Sequence, residues 1–203
     1  MCGNLIPHMT KAQKTRQLII EKSAPIFNTK GIAATAMSDI MEATKLSKGS
    51  LYVHFEDKEA LSHCVVDYSL QQLVGKITAE INRHTSPKEK LIASVAFLSD
   101  PLNPPLPGGC PMLNFGMEAD DTNPAVLFKI AKVVKALQHT TATIIEQGIA
   151  TGVFKKNWDA KVFAIKMFAL VEGGIMISRV TGKRDQMKII LKIIKDEIED
   201  MSV

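Results

Sequence analysis

The chain has 203 residues, of which 46% are hydrophobic, 23% charged and 5% aromatic, with a formal net charge of +4. That is apolar enough for a buried core, and its length fits one small unit joined to a larger body. Cys2, Cys64 and Cys110 are an odd set without zinc or redox spacing, which excludes a disulfide framework and fits a reduced, cytoplasmic setting. Residues 1–9 lack the charged start and long apolar run of a secretory signal. They read as a disordered leader or tag remnant, with a first domain over 10–56 and a second over 57–203.

Helical periodicity dominates from residue 11 onward. Residues 11–29 are predicted to form a first helix offering Leu18, Ile19, Ala24 and Phe27 to a core. Residues 35–55 follow as two very short helices with a tight turn at Thr44-Lys45-Leu46. Helices that short are marginal alone, so Ile40, Ala43, Leu46, Leu51 and Phe55 must hold them by packing. Ser38 reads as the start of the first short helix, with Asp39 and Glu42 suited to its dipole. Ser47 reads as the cap of the second, and Asp57 as the start of the next helix. Two stubby helices joined by a few residues must cross steeply, as a helix-turn-helix does. Ser47, Lys48, Ser50, Tyr52, His54 and Lys58 are left facing outward, a set suited to DNA phosphates and base edges.

The run Gly49-Ser-Leu-Tyr-Val-His-Phe55 followed by Lys58-Glu-Ala-Leu61 resembles the DNA-binding domain of the TetR family of bacterial transcription regulators, over about residues 11–65. The resemblance implies that Lys48 and Ser50 reach base edges, that Tyr52, His54 and Lys58 bind phosphates, and that Thr35 and Ser38 add hydroxyl contacts. Gly49 costs about 1 kcal/mol relative to Ala in a helix, which close approach to DNA would offset. The chain departs from the family at Lys45, where glycine is usual. A lysine at positive φ there carries strain on the order of 1 kcal/mol. Charge agrees with this division: residues 1–55 hold seven basic and three acidic side chains, whereas residues 56–203 hold 18 of each sign.

The body is predicted to be all-α. A long helix over 57–83 carries Leu61, Val65, Val66, Leu70, Leu73, Ile77 and Ile81 and would connect the head to the rest. A helix then starts at Ser86-Pro87 and runs to about 99. Residues 100–111, rich in proline and glycine, form a loop. Further helices are expected over 112–120, 124–151, 159–181 and 184–200. Between Val162 and Val180 the apolar run is broken by Lys166, Glu172, Arg179 and the Gly173-Gly174 pair, which argues against a membrane span. The last helix adds a stripe of Met187, Ile190, Leu191, Ile194 and Ile198. Two helices this apolar predict a four-helix bundle with a second copy, through Phe168, Glu172, Gly173, Gly174 and Ile177 together with that stripe. The family resemblance implies the same homodimer.

A twofold dimer presents two recognition helices to near-palindromic, double-stranded operator DNA. As the resemblance implies, the chain would be a repressor released by a small effector. Phe97, Cys110, Met112, Phe115, Met117, Phe128, Phe163, Met167 and Phe168 are candidates for an apolar, adaptable pocket, with Glu118 as a polar anchor for a cationic group. Cys110, before a short helix, offers a second mode of control by electrophiles or oxidants. Enzymatic chemistry finds no support: His8, His54, His63, His84 and His139 lack metal-ligand spacing, and no phosphate loop or nucleophile elbow is present. No cofactor or metal is expected.

Overall fold

The computed structural model describes residues 9–203; most of the leader proposed over 1–9 lies outside the described residues. Among the described residues the fold is all-α. The helices are α1 (Lys11–Lys30), α2 (Met37–Thr44), α3 (Lys48–His54), α4 (Lys58–Ile81), α5 (Pro87–Phe97), α6 (Pro111–Ala119), α7 (Pro124–Ala150), α8 (Ala160–Thr181) and α9 (Asp185–Asp200). Each expected helix is present within a few residues of its expected bounds. No helix among the described residues is long and apolar enough to cross a membrane.

Packing divides the chain into two compact units. One comprises the residues up to Gln72 with Leu106–Ile130, the other Leu73–Pro105 with Ala131–Val203. The first unit is therefore discontinuous in sequence, unlike the boundary expected at residue 57. Leu61, Val65 and Val66 in the first turns of α4 are fully buried, alongside Ile19, Phe27, Ile40 and Leu51. In the same unit, Lys129 of α7 pairs with Asp67 of α4 at 2.8 Å and donates to the His63 carbonyl at 3.0 Å.

Helix ends follow local chemistry. Thr10 and Gln13 form a reciprocal capping box on α1. Ser47 Oγ accepts the Ser50 N–H at 3.2 Å, capping α3, and Asp57 accepts the Ala60 N–H at 2.7 Å at the start of α4. Ser38 is not where α2 begins. The cap is Ala36, and Asp39 Oδ2 reaches back to its N–H at 3.0 Å, which places Ser38 inside the first turn. Lys30 lies 2.8 Å from Asp39 and, with the Ala36 N–H, holds that carboxyl below its ordinary range. Lys45 ends α2 in the left-handed region at φ 58°, so the departure from glycine does carry the expected strain.

In the second unit α9 packs on α8 and on α5. Lys88 of α5 pairs with Glu199 at 2.6 Å, and Lys166 of α8 pairs with Glu197. Phe154, Trp158 and Phe163 form an edge-to-face run, with centroids 4.8 and 4.7 Å apart. Asp100, in the loop after α5, takes Arg184 Nε at 2.6 Å. That bond, then one from Asn103, holds the Asp100 carboxyl down at about 2.

Because Asp100 titrates lower in the folded chain than in the unfolded one, its pairing stabilises the fold above about pH 4. That contribution is lost as the pH falls through about 2. Asp100→Asn should flatten this part of the acid response, so urea-unfolding free energy falls less between about pH 4 and 2 than in the wild type. An equal fall in both proteins would contradict the assignment.

Candidate nucleic-acid interface

Helix α3 has seven residues and is held by its inner side, where Leu51 is 1% exposed and the following Phe55 5% exposed. With that side fixed, the other side faces outward. Ser47, Lys48 and Gly49 are exposed, Ser50 and His54 half-buried, and Tyr52 43% exposed. The Lys48 ammonium lies 5.9 Å from the centre of the Tyr52 ring, so one helical turn carries a cation and a phenol on the same face. Ser47 and Ser50 hydroxyls are 3.0 Å apart at the N-terminal end of that face. A Cβ on Gly49 would meet nothing within 4 Å, so packing inside the chain does not require glycine there. Ser38 is exposed on α2.

Two expected phosphate contacts are already used inside the unit. Thr35 is 1% exposed and its hydroxyl donates to the Gly31 carbonyl at 2.6 Å. Lys58 Nζ donates to the carbonyls of Ile32, Ala33 and Thr35 at 2.9, 3.1 and 3.0 Å. An ammonium has three donors, and all three are satisfied. Thr35 and Lys58 therefore support the loop before α2. Two of the seven cations of residues 1–55 are likewise engaged. Arg16 donates to Cys64 Sγ at 3.0 Å and lies 4.6 Å over Phe55, and Lys30 pairs with Asp39.

Sequence reasoning missed Val53. It is 79% exposed on α3, between Tyr52 and His54. An exposed β-branched apolar side chain is of a kind suited to the methyl group of thymine. The signal was its position in the run, one residue past Tyr52, where an apolar side chain has no inner partner.

The expected effector residues are divided between the two units. Cys110, Met112, Phe115, Met117, Glu118 and Phe128 belong to the first unit, and Phe97, Phe163, Met167 and Phe168 to the second. Phe115 and Phe163 are buried at 0% and 1% exposure as core, whereas Met117 and Phe128 are 70% and 68% exposed. Met112 is buried too, and Phe97, Met167 and Phe168 are half-buried. Glu118 accepts the backbone N–H groups of Ile32 and Ala33 at 2.7 and 2.6 Å, so it anchors the chain's own loop rather than a cationic ligand. Cys110 stands at the N-cap position of α6 and is 7% exposed. In the second unit a groove of about 260 Å³ lies between α7 and α8, lined by Lys135, Gln138, His139 and Glu146 and by Lys161 and Ile165. None of the ten expected residues lines it.

Part of the expected dimer surface is used inside the chain. Met187, Ile194 and Ile198 are at 0%, 1% and 0% exposure, spent on packing within the chain. Gly174 is used the same way: a Cβ there would lie 2.7 Å from Met187 Sδ and 3.0 Å from Ile190 Cδ1. Phe168, Glu172, Gly173, Ile177, Ile190 and Leu191 are half-buried. The exposed apolar side chains are Val162, Ile165, Met176 and Val180 on α8 and Ile189 and Ile193 on α9.

Comparison with known proteins agrees with this geometry. Residues 19–63 match the family model described as bacterial regulatory proteins, tetR family, and residues 87–194 match the tetracyclin repressor-like C-terminal domain. An HTH-type transcriptional repressor, DhaR, from Mycobacterium sp. (strain GP1) is 24% identical over 180 residues, covering 88% of this chain and 89% of its own. Among solved structures, a TetR-family transcriptional regulator from Cytophaga hutchinsonii is 37% identical with a TM-score of 0.88, covering 97% of this chain and 98% of that one. A TetR transcriptional regulator from Chloroflexus aurantiacus J-10-FL is 34% identical with a TM-score of 0.89, covering 96% and 98%. A helix-turn-helix with a cationic outer face, matched at both ends of the chain, makes this protein a member of the TetR family of DNA-binding transcription regulators.

Proposed function

We propose that the protein is a repressor that binds near-palindromic operator DNA as a homodimer and leaves it when a small apolar or amphipathic effector binds. The observation that carries this is the outward row of α3, where Lys48, Gly49, Ser50, Tyr52 and Val53 are turned away from the core. Lys48 and Ser50 open the helix and read base edges; Tyr52 and His54 hold phosphates; Val53 adds an apolar contact. The name of the mycobacterial relative, a transcriptional repressor, supports the sign of regulation. α4 runs unbroken from the first unit into the second, which favours it as the element an effector biases.

Selection from a random duplex pool should return two inverted half-sites with centres about one helical turn, or a multiple of it, apart. Lys48→Ala should weaken binding to the selected duplex by about 1 to 3 kcal/mol and relax preference at the bases it faces. Recovery of single, unpaired half-sites, or unaltered binding by the variant, would argue against this assignment.

The homodimer is supported by the uncovered apolar row of α8 and α9. Met176→Glu combined with Ile193→Glu should shift the protein to monomer in sedimentation while leaving its helical circular dichroism intact. Met187→Ala should instead cost about 2 to 5 kcal/mol of stability, as a core truncation does. A double variant that remains dimeric would remove this surface from consideration.

A further inference from the structure

The loop 31–36 between α1 and α2 is held from two sides by charged side chains that come from distant parts of the chain. Lys58 takes the carbonyls of Ile32, Ala33 and Thr35, and Glu118 takes the N–H groups of Ile32 and Ala33. Cation to carbonyls and carboxylate to amides is the electrostatically matched pairing for a peptide loop, and charge-assisted bonds of this kind are the stronger class. The carboxylate sits directly on the backbone: a Cβ on Gly31, which has φ 87°, would lie 3.0 Å from Glu118 Oε2. Glu118 is at the C-terminal end of α6, whose other end is tied to α1. There Asn114 donates to the Asn28 carbonyl at 2.9 Å, and Asn28 Nδ2 donates to the carbonyls of Pro107 and Gly109 at 2.7 and 3.1 Å. The loop it grips runs without interruption into α2 and from there to α3.

We propose that Glu118 is a positioning residue for DNA binding: by gripping the amides of Ile32 and Ala33 it makes the placement of α6 set the orientation in which α2 and α3 are presented. Glu118 touches no DNA in this scheme. A negative charge added near a polyanion would by itself weaken binding, so its removal would strengthen it if charge were all that mattered. Positioning predicts the opposite sign. A shift of α6 that withdraws the carboxylate would leave two amides unpaired and free the start of the helix-turn-helix. The inference rests on the reading of α3 as the helix that contacts DNA.

The test uses the full chain and a fluorescent duplex selected from a random pool by the wild type, with a scrambled duplex of equal length, over a range of KCl concentrations. Glu118→Ala should lose roughly tenfold in affinity for the selected duplex, the loss expected from a charge-assisted contact. Its affinity for the scrambled duplex and the slope of affinity against salt should stay the same, because no phosphate contact is lost. Glu118→Gln, which keeps one acceptor oxygen, should fall between. Hydrogen exchange at the Ile32 and Ala33 amides should quicken in Glu118→Ala while the α1 and α4 amides keep their protection. Affinity for the selected duplex that is unchanged or increased, a parallel loss on the scrambled duplex, or unaltered exchange at Ile32 and Ala33 would each overturn the proposal. If the wild type selects no duplex at all, the reading of α3 fails first, before any variant is compared.

Discussion

A helix of seven residues forms too few backbone hydrogen bonds to persist by itself, so the burial of Leu51 and Phe55 is what makes α3 a helix at all. Each fully buried side chain of this size is worth about 1.5 to 3 kcal/mol relative to exposure, a sizeable fraction of the roughly 5 to 15 kcal/mol that holds a domain folded. Both α2 and α3 pack on α1, with Ile40 at 0% and Phe27 at 0% exposure, so the short helices use the long one as their third wall. The orientation of every outward group on α3 follows from that inward anchoring. Lys48 and Tyr52 share a face because they stand four residues apart, and the burial of Leu51 and Phe55 decides which way the helix is turned.

The polar residues of the head divide by whether the backbone has a prior claim on them. A loop packed against other elements must satisfy its N–H and C=O groups, and segment 31–36 has no helix or strand to do so. Thr35, Lys58 and Glu118 answer that demand, which is why they are absent from the outward set. The helix ends impose smaller demands of the same kind, met by Thr10, Asp39, Ser47 and Asp57. Lys48, Tyr52 and Val53 are left over once this accounting is done.

What was legible in the sequence was the part governed by nearest neighbours. Caps at Ser47 and Asp57, the loop of prolines and glycines after α5, and the period of apolar residues along α4 are all set within a few positions. Partnerships across 80 or more residues, such as Glu118 with Ile32 or Asn114 with Asn28, leave no local trace. Lys58 looked like a phosphate ligand because its type and position fit both roles, and only the three carbonyls around its ammonium separate them. The effector residues were illegible for a related reason. Phenylalanine and methionine serve core and cavity alike, and Phe115 and Phe163 proved to be core.

The C-terminal helices show the same ambiguity in a form that packing can resolve. An apolar stripe tells that a face is covered but not by what. On α9 the stripe of Met187, Ile194 and Ile198 is covered by the chain's own helices, with Gly174 on α8 letting Met187 approach. That closes one side of α8, through Phe163, Ala164, Val171, Ile175 and Ser178. Yet α8 is apolar on a second side, where Val162, Ile165, Met176 and Val180 recur at helical spacing with Ile189 and Ile193 exposed on α9. Gly173 lies in the same row, and a Cβ there would meet nothing within 4 Å. A helix with two apolar faces has two faces to cover, and among the described residues one of them is left exposed. The exposed row thus shares Gly173 with the set the sequence pattern singled out but loses Met187, Ile194 and Ile198, because the strongest stripe was the first to be used for folding.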